Sequence, residues 1–409
     1  MTSRHSGNFK DKLKIGFLTA LDPGNRQAWS GIIHYLAKSL AKHAGEVVFL
    51  GPAQTGRERR LHHWDRCCRY YFGKGYLASH SVYLSAGYAE VFHDRLKKNP
   101  VDVIFAPVAS TEIALLRTSI PIVYMSDATF AVMHGYYNDF SNLLSISKVE
   151  ANFIERLAVR KSSKLIYPSH WAANSAVNDY GATADKTHII PMGANFDEVP
   201  TDAQIADKQL TRDVRLLFVG IDWERKGGSV AFETLRALER LNISASLTVV
   251  GCVPPAEFFH PRLTVVPFLD KNNPRHRQQL FDIYLNSDIF ILPTRAECSA
   301  IVFCEAAAFG LPSFGSETGG VPCVITNHRT GRLFPLDATG TDYAHAIAAL
   351  WRDPLLLAEM VAASREHFKS RLNWDAWGKQ AANVIHAAAN VNSRSTLHLN
   401  DYTTGSLHS

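Results

Sequence analysis

Short apolar runs, each followed by a stretch of helical periodicity, recur through this chain in two separate series. The first series is KIGFLTA (14–20), VVFLG (47–51), DVIFAP (102–107), PIVYM (121–125) and KLIYP (164–168). These runs are near-continuous rather than alternating, as a parallel sheet covered on both faces requires of its strands. Between them lie helical patterns such as SGIIHYLAKSLAKHAG (30–45), ending on a glycine suited to a helix C-cap, and NLLSISKVEANFIERLAVRKS (142–162). The pattern breaks at EVPTDAQIADKQLTRD (198–213), which is polar, charged and without strong periodicity. A second series follows: VRLLFVG (214–220), SLTVVG (246–251), LTVVPF (263–268), DIFILP (288–293) and LPSFG (311–315), with helical patterns at 227–241 and 278–287.

This alternation predicts an α/β protein of two doubly wound, Rossmann-like domains. At 409 residues the chain is long for one core and sufficient for two. The first domain is placed at 1–198, a linker at 199–213 and the second domain at 214–373, closed by helical stretches at 338–351 and 354–371. A helix over 374–390 is expected to cross back to the first domain. The tail 391–409, rich in Ser, Thr, Asn and His, is expected to be disordered. Ligands of doubly wound sheets bind beyond the carboxyl ends of the strands, so two such domains facing each other share one cleft.

Composition excludes several classes. The balance of 46% hydrophobic and 20% charged residues is that of an ordinary globular protein, with a mild formal charge of +5. Cys67, Cys68, Cys252, Cys298, Cys304 and Cys323 form no CxxC pair and no zinc-ligand spacing. They read as reduced thiols of a cytoplasmic protein, and no metal is expected. The opening MTSRHSGNFKDKLK is polar, so no signal peptide is expected, and no run has the length of a membrane-spanning helix. A dinucleotide-binding Gly-x-Gly-x-x-Gly is absent after the first strand, and a Walker P-loop is absent throughout. Both absences argue against dinucleotide oxidoreductases and P-loop NTPases.

The most specific segment is PTRAECSAIVFCEAAAFGLPSFGSETGGVP (293–322). It opens at the end of an apolar strand, with Glu297 in the turn and a helix that starts near Cys298 to Ile301 and contains Glu305. The amides of Cys298, Ser299 and Ala300 are then free donors at a helix N-terminus, an end that binds phosphate. Glu297, just outside that end, can accept hydrogen bonds from sugar hydroxyls; Glu305, two turns deeper, can hold a ribose diol. Gly319 and Gly320 supply a second backbone loop able to approach a ligand closely. Two glutamates eight apart mean little alone; the strand, turn, helix, Gly-Leu-Pro and Gly-Gly context gives them their specificity. In that context the segment resembles the donor-site signature of the family-4 retaining glycosyltransferases (glycosyl transferases group 1), which have the GT-B fold. The resemblance covers nearly the whole chain and is weakest at the termini and between Ala53 and Asn99. It implies a nucleoside diphosphate sugar as co-substrate, with Glu297 on the transferred sugar and Glu305 on the ribose.

LFVGIDWERKGGSVAFE (217–233) carries a strand that ends at Gly220 and a loop that brings Arg225 and Lys226 to a helix start. Positive charge there opposes the helix dipole unless an anion binds, and fixed cations beside a leaving diphosphate lower the barrier to its departure. Lys226 matches the lysine of the family's Gly-x5-Lys-Gly pattern. Ile221 stands where the family usually has an arginine, and Arg225 is the stand-in. In ALDPGNRQAWSGIIHYLAKSL (20–40), Gly31, beside Trp29 and Ser30, matches the glycine loop through which the first domain approaches the donor phosphate. In VYMSDATFAVMHGYY (123–137), Asp127 follows a strand where many members carry a histidine that touches the sugar. It is expected to contact sugar hydroxyls or orient the acceptor, with His134 facing the acceptor.

The resemblance further implies retention by front-side displacement through an oxocarbenium-like transition state, without a metal cofactor. Base recognition is expected near Phe268 and Leu269. The acceptor is read as a carbohydrate or a lipid-linked sugar, and nucleic acid is not expected. RERRLHHWDRCCRYYFGKGY (57–76) holds six Lys/Arg against two Asp/Glu, interleaved with Trp64, Tyr70, Tyr71 and Phe72. It reads either as a solvated face or as a contact with the anionic inner face of a membrane. Two other functions fit the same residues: another GT-B enzyme such as a nucleotide-sugar epimerase, and a catalytically silent protein that binds sugar nucleotides or partners.

Overall fold

The computed structural model describes residues 12–208, 213–299 and 301–401, the last helix by its backbone alone beyond Asn390. The apolar runs become two parallel sheets of six strands each. The first holds β1 (Lys14–Phe17), β2 (Glu46–Phe49), β3 (Val103–Pro107), β4 (Ile122–Met125), β5 (Lys164–Tyr167) and β6 (Thr187–Ile189), in the order β2-β1-β3-β4-β5-β6. The second holds β7 (Val214–Val219), β8 (Ala245–Val250), β9 (Leu263–Val266), β10 (Ile289–Leu292), β11 (Ser313–Ser316) and β12 (Gly331–Phe334), in the order β12-β11-β10-β7-β8-β9. Every residue of β3, β4 and β10 is buried, which is why their sequences are apolar without alternation. Strand order reverses between β1 and β3 in the first sheet and between β7 and β10 in the second. A doubly wound sheet opens its ligand crevice at that reversal.

The helix Trp374–Asp401 packs against the first sheet and the helix Ile32–His43. Trp377 is fully buried among Phe17, Phe105 and Ile385, and Trp374 stacks on Tyr35 with ring centroids 6.1 Å apart. Burying one tryptophan removes roughly 150–250 Å² from water, worth about 4–6 kcal/mol at ~25 cal/mol/Å². The two segments that join the domains run side by side. Ala194 N–H donates to the Leu372 carbonyl at 3.0 Å, and Trp374 Nε1 donates to Asn195 Oδ1 at 3.0 Å.

The structure departs from the sequence reading in four places. Ala194, Phe196 and Val199 pack on the core of the second domain, so the first domain ends near 193 and not at 198. The stretch taken as a linker contains the helix Asp202–Ala206, started by a capping box in which Thr201 and Gln204 exchange side-chain and backbone hydrogen bonds. The last helix continues to Asp401, where disorder was expected from 391: no glycine or proline interrupts VNSRSTLHLND. Residues 402–409 of that expected tail lie outside the described residues. The edge strands β6 and β12 are half-exposed and short, and neither shows as an apolar run.

Candidate active site

The carboxyl ends of β1, β4, β7 and β10 face a cavity of about 460 Å³ between the domains, within the usual size of a small-molecule site. The second domain supplies the loop after β7, which leads through Lys226 and Gly227 into the helix Gly228–Arg240. Gly220 leaves the space that the Lys226 stem fills: a Cβ there would lie 2.8 Å from Lys226 Cγ. Lys226 is 8% exposed and forms an ion pair with Glu297, itself 9% exposed. Arg225 donates to the Ala296 carbonyl at 2.9 Å and lies 3.4 Å from the Asp222 carboxylate. Beyond it, Cys298 and Ser299 lead into the helix Ile301–Ala308, the last element at this corner.

The first domain supplies the opposite wall. Trp29, Ser30 and Gly31 take φ of 45°, 58° and 90°, a left-handed run that only the glycine adopts without strain. Such backbone persists where its surroundings over-determine it, and is concentrated at functional sites. Here Trp29 Nε1 donates to Asp127 Oδ2 at 3.3 Å, and Asn195 Nδ2 donates to the Ser30 carbonyl at 2.9 Å. Burial pushes the Asp127 carboxyl up to about 6, against the opposing pull of the Trp29 hydrogen bond. The loop is tied across the cleft mouth: Arg26 N–H donates to Asn272 Oδ1 at 3.0 Å, and Gln27 Nε2 to Asp270 Oδ1 at 2.8 Å.

Of the residues singled out in the sequence, Asp127, Gly220, Arg225, Lys226, Leu269, Glu297, Cys298 and Ser299 line this one cavity, but the Cys298 N–H, expected to be a free donor, is taken by the Tyr137 hydroxyl at 3.1 Å. Ile221 lines it as well and is 77% exposed, while Arg225 beside Lys226 reaches the same wall. Gly31 and Gly320 stand behind it. A Cβ on Gly320 would lie 2.0 Å from the Cys298 carbonyl oxygen, and Gly320 N–H donates to the Glu297 carbonyl at 3.0 Å. Thus the Gly-Gly turn packs against the back of the Glu297–Cys298 loop and is not part of the cavity lining. Glu305 is fully buried. Its oxygens accept from Lys271 Nζ at 2.9 Å and the Tyr284 hydroxyl at 3.0 Å, and Lys271 is the partner that reaches the cavity. His134 is exposed and packs on Phe130, with ring centroids 5.8 Å apart; Tyr137, three residues on, faces the cavity in its place. Ala300 lies outside the described residues. Among the described residues, no group of three or more His, Cys, Asp or Glu side chains is placed to hold a metal ion. The sequence reading missed Lys271, Tyr136 and Tyr137.

Known proteins resemble this chain in sequence and fold. Residues 32–198 match the family model described as Glycosyltransferase Family 4, and residues 213–353 match Glycosyl transferases group 1. A D-inositol 3-phosphate glycosyltransferase of Streptomyces scabiei is 28% identical over 57% of this chain and 56% of its own length. The chain thus spans little more than half the length of the first curated relatives it matches. A glycogen synthase of Mycobacterium tuberculosis is 25% identical over 87% of this chain and 90% of its own. Among solved structures, sucrose-phosphate synthase from Thermosynechococcus elongatus superposes with a TM-score of 0.64 at 18% identity, covering 92% of this chain and 98% of that one. HepE of Anabaena, solved in complex with UDP and glucose, gives 0.60 at 16% identity over 92% of this chain and 100% of its own. These superpositions identify the two Rossmann-like domains as the GT-B fold. Two family models that together span most of the sequence, laid over a GT-B fold, place the chain in the group 1, family 4 glycosyltransferases.

Proposed function

We propose that this protein is a retaining glycosyltransferase that moves a sugar from a nucleoside diphosphate to a carbohydrate or lipid-linked acceptor, in the synthesis of cell-surface polysaccharide or glycoconjugate. One observation carries the reading. The buried Lys226–Glu297 pair at the β7/β10 reversal faces Asp127 and the left-handed Trp29–Gly31 turn across a single cavity. As the sugar departs, negative charge gathers on the diphosphate; Lys226 and Arg225 are the fixed cations beside it, and in a partly dry cleft such charges act strongly. In this reading they supply the positive charge without a metal. Glu297 and Asp127 hold sugar hydroxyls while the acceptor attacks from the face the diphosphate leaves. Lys271 lies on the cavity side of Glu305, so the ribose diol meets the pair and not a bare carboxylate. Leu269 lines the end assigned to the base.

The test is donor hydrolysis across a panel of UDP-, GDP- and ADP-sugars, beside Lys226→Ala and Glu305→Ala. Loss of one charged hydrogen bond costs about 1.5–3 kcal/mol, so turnover of one donor should fall roughly ten- to a hundred-fold in both variants. Donor binding without turnover, even with acceptors supplied, would favour the silent sugar-nucleotide-binding protein, a reading kept alive by the exposed Ile221 at the usual arginine position. Binding of no donor would sink the site assignment.

The setting proposed is cytoplasmic, with peripheral contact to the inner membrane face. Among the described residues no helix is long and apolar enough to cross a membrane. The helix Glu58–Phe72 leaves Trp64, Tyr70, Tyr71 and Phe72 exposed amid its arginines, a surface suited to anionic headgroups. Flotation with anionic liposomes should be abolished by charge reversal at Arg59, Arg60, Arg66 and Arg69; unchanged flotation would exclude this surface.

A further inference from the structure

Two tyrosines of the first domain cross the cleft and hold the backbone of the second domain's sugar loop. The Tyr136 hydroxyl accepts from Glu297 N–H at 2.9 Å and shares a hydrogen bond of 2.7 Å with Thr318 Oγ1. The Tyr137 hydroxyl accepts from Cys298 N–H at 3.1 Å. Tyr137 also lies under a charge, for the Arg225 guanidinium sits 5.2 Å from the centre of its ring. Both rings are fixed from their own domain. They meet edge to face at 5.4 Å, and Trp171 backs Tyr136 at 5.1 Å. The turn at Gly135, with φ of 80°, aims the pair back toward the cleft.

Glu297 and Cys298 precede the helix Ile301–Ala308, so no helical carbonyl receives their N–H groups. A buried N–H without a partner loses the worth of a hydrogen bond. Both groups here are satisfied by the opposite domain. The contacts therefore exist only while the domains are closed on each other.

We propose that Tyr136 and Tyr137 form a clasp through which the first domain sets the geometry of the Glu297–Cys298 loop, completing the donor site on closure. They are positioning residues, acting through the loop amides. Assigning the loop to the transferred sugar rests on the transferase reading; the clasp itself is a statement about two amides. A nucleoside diphosphate engages the second domain without it, whereas handling of the sugar requires it. The clasp thus belongs to turnover and not to nucleotide affinity.

The full chain is compared with Tyr136→Phe, Tyr137→Phe and the double variant by two readouts. Hydrogen exchange, followed by mass spectrometry over residues 293–303, needs no ligand. Each lost hydrogen bond should speed exchange of the Glu297 or Cys298 amide by roughly tenfold, with the rest of the second domain unchanged. The second readout is steady-state donor hydrolysis with UDP-glucose and then the other UDP-, GDP- and ADP-sugars, beside the affinity for the matching nucleoside diphosphate. Each variant should lose roughly tenfold in kcat while KM and nucleotide affinity stay within about twofold. Tyr137→Leu, which also removes the ring beneath Arg225, should lose more than Tyr137→Phe. Unchanged exchange in the double variant overturns the clasp, whether or not any donor is turned over. Faster exchange with unchanged kcat overturns its role in positioning. Faster exchange in a protein that turns over no donor upholds the clasp and removes the transferase reading instead.

Discussion

Lys271→Met isolates the buried pair behind the cavity. Glu305 is 0% exposed, and its two oxygens have two partners, Lys271 at 2.9 Å and Tyr284 at 3.0 Å. Removing the lysine leaves a carboxylate in the protein interior with one neutral hydroxyl donor. Breaking a fully buried pair in this way costs about 3–5 kcal/mol. The Lys271 side chain is 27% exposed, so water entering from the cavity can reach the vacated oxygen, and about 2–3 kcal/mol is the better figure. At roughly 2–4 °C per kcal/mol for units of this size, the second domain should melt about 4–12 °C lower. Calorimetry of Lys271→Met, Glu305→Gln and the double variant forms a cycle. The double variant should recover more than half of the Lys271→Met loss, because no uncompensated charge remains. A Lys271→Met protein within about 0.5 kcal/mol of the parent, as for an ordinary surface change, would show that Lys271 does not hold Glu305. The ribose would then meet a free carboxylate.

Three further outcomes follow from the same geometry. Gly320→Ala sets a Cβ 2.0 Å from the Cys298 carbonyl; it should abolish donor turnover by displacing the loop, while Thr318→Ala, which keeps the backbone, should retain much of it, and equal activities would refute the supporting role. With Asp127 pushed up to about 6 by burial, donor turnover should decline tenfold per pH unit below about 6 as the carboxylate is protonated, and Asp127→Asn should lack this limb. Burial also raises the Glu155 carboxyl from 4.5 to about 8. The folded state therefore binds more protons across that window, stability falls as pH rises through it, and Glu155→Gln should flatten that slope in urea titrations at pH 5, 7 and 9.

Much of the fold was legible because burial on both faces leaves a mark in the sequence: β3, β4 and β10 have no exposed residue and read as unbroken apolar runs. β6 and β12 carry half-exposed residues and left no such mark. The Thr201–Gln204 capping box was present in the sequence, but the polar stretch around it concealed the short helix. At the site, Lys226, Glu297 and Asp127 were legible because each lies in a local pattern of strand, turn and helix. The partners that fix them were not. Lys271 reaches Glu305 from 34 residues away, and Tyr136 reaches Glu297 from 161. Spacing along one element carries no information about which loops two separate domains bring into contact. The same limit explains His134: the turn at Gly135 points the following tyrosines, and not the histidine, into the cleft.

The two strands of chain that pass between the domains make the second domain an insertion into the first. Among the described residues, those from 12 to 193 and from 374 to 390 build one body, and the segment between them builds the other. During synthesis one face of the first sheet stands covered by the helix Ile32–His43 alone until the entire second domain has emerged, since Trp377 and Ile385 arrive last. A second domain excised between the crossings has no missing core element, whereas a first domain cut after β6 lacks a whole covering helix. The two crossings also lie side by side and are hydrogen-bonded, Ala194 to Leu372 and Trp374 to Asn195, so the domains are joined by a paired connection where a single tether would leave them free to twist.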